Sequence, residues 1–292
     1  GDLLKVDYDG TLNAVAQGNY GTGQSSGTSI TPSSADTAVQ GVRIMRAYPI
    51  LTKHAIPSNL MKTASNYPIY RFSINAVGGD VRIAKFTFNI SSSTGIAAAS
   101  ATTSAYALYV FNDLGFSDAD TTFSGTGLIN ASNCYGSEGG KNGATVASTV
   151  GMGGGGDFEI FPDAAATACG TAHSTTTYKV PGTGTKYFEL RTTIASVENT
   201  SGSESFTVVL RGDAAFPTTH QNGAGDSGNM GRAGHQGAAK VSVDSDTNDD
   251  FIWSPVSTST SPSINDFDFT NGYQVLGLPA NDMSSETLTS AN

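Results

Sequence analysis

Tyr70-Arg71-Phe72-Ser73-Ile74-Asn75-Ala76, Gly78-Gly79-Asp80 and Val81-Arg82-Ile83-Ala84-Lys85-Phe86-Thr87-Phe88-Asn89-Ile90 form the stretch on which the fold turns. In its first part Tyr70, Phe72, Ile74 and Ala76 alternate with Arg71, Ser73 and Asn75. Successive side chains of a strand point to opposite faces, so this segment reads as a strand with one buried and one wet face. Gly78-Gly79-Asp80 predicts a hairpin turn. Beyond it Val81 and Ile83 keep the alternation, but the next apolar residues are Phe86, Phe88 and Ile90. The parity therefore switches at Ala84-Lys85, which reads as a β-bulge or a strand that changes sheets.

The same signals recur outward from this pair. Upstream, Val42 to Tyr48 reads as a strand stopped by Pro49, and 51–68 as irregular with Pro57 and Pro68 at its turns. Downstream, Tyr106 to Phe111 is apolar on both faces, as a central sandwich strand would be. Further strand signals lie at Asp157–Phe161, Tyr178–Val180, Lys186–Ile194, Ser205–Leu210, Ala239–Val243, Phe251–Pro255 and Gly272–Leu276. Glycine-rich insertions fill 112–156 and 222–237. No segment offers three turns of helical spacing with caps. Roughly nine short strands point to an all-β fold, a Greek-key or immunoglobulin-like β-sandwich with long glycine-rich loops.

Composition agrees. Only 14% of the 292 residues are charged, and 35 are glycine. Ser and Asn compete with helical hydrogen bonds and Gly costs about 1 kcal/mol in a helix, so this chemistry favours strands and turns. The net charge of −10 argues against nucleic acid, which needs clustered Lys and Arg. No stretch of 18 apolar residues is present, so no transmembrane helix is expected. The chain opens on Gly-Asp-Leu-Leu, which leads us to expect a mature or trimmed form.

The first residues read differently from the rest. Leu3 to Tyr8 forms one strand, and Gly18 to Ser34 is a linker by composition, so we divide the chain into an extension over 1–38 and a sandwich over 39–292. A lone strand is unstable in water and must pair with this molecule's sheet or a neighbour's. Alternation favours Leu4, Val6 and Tyr8 as its inward residues. The linker spans about 20–25 Å as a random coil, enough to reach another copy.

Three segments carry a family resemblance. Gly79 to Phe88, Tyr187-Phe188-Glu189-Leu190-Arg191, and Asp250 to Pro255 followed by Phe269-Thr270-Asn271-Gly272-Tyr273 and Gly277-Leu278-Pro279 occur in this order. The chain over about 39–292 thus resembles the C-terminal module of large secreted surface proteins of ultrasmall bacteria of the candidate phyla radiation. The resemblance implies a β-sandwich surface component, S-layer-like or adhesin-like, and carries over no catalytic residue. The glycine-rich insertions depart from that pattern.

Candidate chemistry is sparse. Asp244, Asp246, Asn248, Asp249 and Asp250 place four carboxylates and an amide in one run, a like-charge cluster that calcium would relieve, or else a solvated turn. It lacks the Gly and terminal Glu of an EF-hand. Asp113, Asp118 and Asp120 form a thinner acidic loop. Cys134 and Cys169 lie in loop-like surroundings, either as free thiols or, as we favour, as a disulfide worth about 3–4 kcal/mol. Of the four histidines, His54, His173, His220 and His235, the last two flank a glycine loop but show no metal spacing. Asp157 and Glu159 share one strand face, whereas a glycosidase pair normally comes from separate elements. Sequons stand at Asn89, Asn130 and Asn199. With no GxSxG and no phosphate loop, we expect no enzyme. The expected function is a self-assembling extracellular subunit on a cell surface, with copies of itself as partners. The alternative is a glycan-binding adhesin, and a carbohydrate-active enzyme is a distant third.

Overall fold

A computed structural model of the chain describes residues 2–4, 20–30, 42–44, 46–92, 102–122, 124–130, 135–137, 150–151, 156–160, 162, 177–195, 197, 204–212, 250–255 and 282–290. Gly1–Arg46 and Ala47–Asn292 form separate compact units. The first unit holds β1 (Asp2–Leu4), β2 (Gly21–Thr22), β3 (Ser29–Ile30) and β4 (Val42–Ile44). β1 runs antiparallel to β4, with Asp2 opposite Ile44, Leu3 opposite Arg43 and Leu4 opposite Val42. β2 and β3 pair across a turn in which Gly23 N donates to Thr28 O. The strand expected from Val42 to Tyr48 is thus two, because its first half pairs with β1 in the first unit, which runs to Arg46 and past the expected boundary at 38.

The second unit is an all-β sandwich. Its strands are β5 (Tyr48–His54), β6 (Leu60–Met61), β7 (Ala64–Val77), β8 (Val81–Ser92), β9 (Thr102–Phe111), β10 (Tyr135–Ser137) and β11 (Val150–Gly151). There follow β12 (Gly156–Ile160), β13 (Tyr178–Val180), β14 (Thr185–Ala195), β15 (Ser205–Leu210), β16 (Phe251–Pro255) and β17 (Glu286–Ser290). One sheet has the order β11-β9-β14-β7-β5; the other runs β10-β12-β8-β15-β17-β6, with β13 and β16 also on β8. β8 is the spine of the larger sheet. β12 and β13 share one of its edges, and β15 and β16 share the other.

The inward residues of both sheets make the core. Tyr70, Phe72 and Ile74 of β7 and Phe188 and Leu190 of β14 face Phe86, Phe88 and Ile90 of β8, all buried. Phe72 stacks on Phe188 at 5.0 Å and meets Phe86 of the other sheet at 5.9 Å. Tyr106 of β9 stacks on Phe158 of β12 at 4.2 Å. Such ring pairs add about 0.5–1.5 kcal/mol each beyond area burial.

The parity switch of β8 is a bulge, since β16 pairs Ile252 with Lys85 and Trp253 with Ile83, skipping Ala84. Several other expectations are corrected. Gly78-Gly79 is no hairpin turn, because β7 and β8 belong to different sheets. There the backbone of Gly79 crosses Gly182 so closely that a Cβ on Gly182 would stand 2.7 Å from the Gly79 carbonyl carbon. Pro49 does not stop its strand. It lies in edge strand β5 opposite Ala76, whose N and O bond Gly184 and Thr183 on the other side. The missing N–H of Pro49 therefore falls on the free edge, where proline is tolerated. Pro68 lies within β7, where β5 no longer covers the strand and the β14 register shifts beside Arg191. β17 went unforeseen because its inward residues are Glu286, Leu288 and Ser290, an unusual buried set. The expected strands at Ala239–Val243 and Gly272–Leu276 lie outside the described residues.

Candidate functional site

The assembly candidate is the β1–β4 pair. Leu4 lies in β1 opposite Val42, whereas Val6 and Tyr8 fall outside the described residues. The ladder is three residue pairs long, and a two-stranded sheet is marginally stable by itself.

The best-built polar cluster sits on the outer face of the five-stranded sheet. Glu189 of β14 is only 1% exposed and accepts Arg71 Nε on Oε2 and Arg191 Nε on Oε1, both at 2.5 Å. The Arg71 guanidinium lies over the Phe116 ring at 4.1 Å, and that of Arg191 over Tyr109 at 4.5 Å. His54 Nε2 meets Ser73 Oγ at 2.8 Å, and its ring packs on Phe116 and Tyr187. Burial, with the Arg71 charge beside it, pushes the His54 pKa below its ordinary value. These groups occupy outward positions of β5, β7, β9 and β14, and Phe116 packs over Arg71, His54 and Tyr187, while residues 119–120 and 127–129 bond along the free edge of β9. On the outward side of β9, Phe111 is buried against Phe116 at 5.8 Å, whereas Ala107 and Tyr109 stay half-buried. Val110 N donates to Gly127 O at 2.8 Å, and Gly127 has φ 79° with no room for a Cβ, which would stand 2.6 Å from Val110 O. Sequence reasoning missed this cluster because Arg71 and the Phe116 ring come from elsewhere in the chain to join the Glu189–Arg191 pair of β14. The shared outward parity of the three charges is the signal that was there to find.

The 112–130 loop holds its own carboxylates. Asp113 accepts from Ser117 N, Ser117 Oγ and Asp118 N, and the Asp118 amide leads in holding its carboxyl below the usual range. Asp120 accepts Tyr178 Oη and Lys186 Nζ on Oδ2, at 2.5 and 2.7 Å, and Thr122 N and Oγ1 on Oδ1. Burial opposes its ionisation, but those donors prevail and hold its pKa far below the usual value. Burial, reinforced by the Asp120 charge, pushes the Tyr178 phenol well above its usual range. Donors thus already engage the carboxylates of Asp113 and Asp120.

Asp157 is also engaged: Arg211 Nε reaches Oδ1 at 2.9 Å, Asn89 Nδ2 reaches the same oxygen at 2.6 Å, and Arg211 bridges on to Asp282 at 2.7 Å. That arrangement binds Asp157 into a structural network. The sequon at Asn130 is buried, its Oδ1 accepting Leu108 N and its Nδ2 donating to Tyr106 O, which leaves no room for a glycan. Of the acidic run, Asp250 is buried just before β16, and Asp244, Asp246, Asn248 and Asp249 lie outside the described residues. So do Cys134, Cys169, His173, His220, His235 and Asn199. Among the described residues no three His, Cys, Asp or Glu side chains gather as a metal site, and no helix is long and apolar enough to cross a membrane.

No family model matches the chain, and no curated protein does. Among solved structures, one described as manganese lipoxygenase of Gaeumannomyces graminis with partial zonadhesin of Komagataella pastoris is similar at 10% identity. It covers 64% of this chain and 46% of that one, with a TM-score of 0.19, a likeness too slight to carry an argument.

Proposed function

We propose that the chain is a non-enzymatic extracellular subunit that assembles on a cell surface by exchanging β1 between copies. The observation that supports this is the short β1–β4 ladder within a unit separate from the sandwich. A three-pair contact is easily traded for the identical contact in a neighbour, because the same bonds form on either side of the exchange. The stretch between β1 and β4, in which β2 and β3 pair as a short hairpin, would supply the reach. A head-to-tail exchange forms filaments or sheets unless its rotation closes the ring. Glycan adhesion is the second reading. It is supported less, since the Phe111 and Phe116 rings of the outer face pack on one another and are buried.

Deleting residues 1–10 tests the reading. The truncated protein should remain monomeric in sedimentation and negative-stain microscopy under conditions where the full chain polymerises. Polymers of undiminished length would rule out strand exchange. Calcium at Asp244, Asp246, Asn248, Asp249 and Asp250 belongs to the same proposal, as a local clamp on that acidic run. EGTA should then lower the melting temperature, and Asp246→Ala should abolish that response. A bridge between Cys134 and Cys169 should leave no thiol for alkylation before reduction.

A further inference from the structure

We propose that Lys186 and Asn112 become joined by an amide bond between their side chains, formed by the protein itself with Asp120 as the proton carrier. Three groups converge on one amine. Lys186 Nζ lies 2.7 Å from Asn112 Oδ1 and 2.7 Å from Asp120 Oδ2. A carbonyl carbon is one bond of about 1.2 Å from its oxygen, so Asn112 Cγ stands within about 4 Å of the amine, close to attack distance. The amide is oriented for this: Asn112 Nδ2 donates to Asp118 Oδ2 at 3.1 Å, and Asn112 N donates to Asp118 O at 2.8 Å. With the nitrogen tied to Asp118, the carbonyl end is turned to the lysine. Asp120 is in turn fixed by Tyr178 and Thr122.

The site is partly closed to water, with the side chains of Asp120 and Lys186 2% and 15% exposed. The ammonium gives one proton to the Asp120 carboxylate, and the free amine attacks Asn112 Cγ. The new C–N bond forms as the Cγ–Nδ2 bond breaks. Asp120 returns its proton to the departing nitrogen, which with the second lysine proton leaves as ammonium. Charge and atoms balance: one ammonium and one primary amide become one secondary amide and one ammonium ion. Holding amine, amide and carboxylate together replaces encounter between separate molecules, which is what makes such an unactivated step accessible.

The link would have a defined structural result. Asn112 directly follows β9 and Lys186 lies at the start of β14, where Phe111 and Tyr187 are paired neighbours. The bond would close residues 112–186 into a covalent ring that contains both cysteines. Intact-mass spectrometry of the full, reduced chain decides the matter. The expected mass is that of the sequence less one ammonia, with a branched tryptic peptide joining Lys186 to Asn112 and no cleavage after Lys186. Lys186→Arg, Asn112→Ala and Asp120→Asn should each restore the unmodified mass, and Asp118→Ala should lower the linked fraction. A wild-type mass equal to the unmodified sequence would overturn the proposal, as would an ammonia loss that persists in Lys186→Arg.

Discussion

Glu189 shows what a single residue holds in place. Its carboxylate neutralises two guanidiniums that are themselves laid on aromatic rings. Removing one partner of a buried ion pair leaves uncompensated charge, at a cost of about 3–5 kcal/mol. Arg71 and Arg191 keep some exposure, so Glu189→Ala should fall at the low end, about 3 kcal/mol by denaturant melts. His54 beside them supplies a pH dependence. Its folded pKa is lowered, so the unfolded chain binds the proton more readily than the folded one. Its contribution is therefore complete above the ordinary value of 6.5 and is lost as pH falls from there through the lowered one. The melting temperature should drop across that window, and His54→Gln should flatten the drop. Neither role was legible in the sequence, where His54 was one of four histidines without a metal set and Glu189 a polar strand position. Arg191 stands two residues from Glu189 on one strand face, but Arg71 and Ser73 come to Glu189 and His54 from another strand and leave no local spacing to read.

At the scale of elements, legibility followed the interior face. Tyr70–Ala76, Lys186–Ile194 and Ser205–Leu210 were readable because their inward residues are aromatic or aliphatic, and the β8 bulge because it shifts that pattern by one. β17 was not, because Glu286 is inward and held by Lys53 at 2.8 Å and by Asn59 at 3.0 Å. Gly78-Gly79 misled because a two-glycine turn serves a sheet-to-sheet crossing as well as a hairpin. The crossing itself is testable. Gly182→Ala should destabilise the sandwich by roughly 1–3 kcal/mol, since the added carbon meets backbone that cannot rotate away. Gly184→Ala, whose nearest neighbour would be Pro181 O at 3.1 Å, should be milder. Equal thermal melts for the two variants would contradict a tight Gly79–Gly182 contact.

For the whole molecule, the division at Arg46 predicts that residues 47–292 fold alone. A chain lacking 1–46 should keep a cooperative melt, whereas Phe72→Ala in the full chain should lose about 3–5 kcal/mol through the cavity it opens. The all-β class followed from composition and alternation; how the strands are shared between the sheets did not, because pairing depends on contacts far apart along the chain. β8 makes that distance concrete. Its hydrogen-bonding edges are filled by segments centred near residues 158, 179, 208 and 253, and β6 waits for Thr289 and Ser290. During synthesis, then, Phe86 and Phe88 emerge with Tyr70 and Phe72 of β7 already made, but long before the strands that flank β8 exist. The larger sheet cannot close until nearly the entire sequence has been made, so folding should be slow and late, as for other topologies rich in distant contacts. A chain that stays open for so long is one that can be threaded across a barrier before it folds.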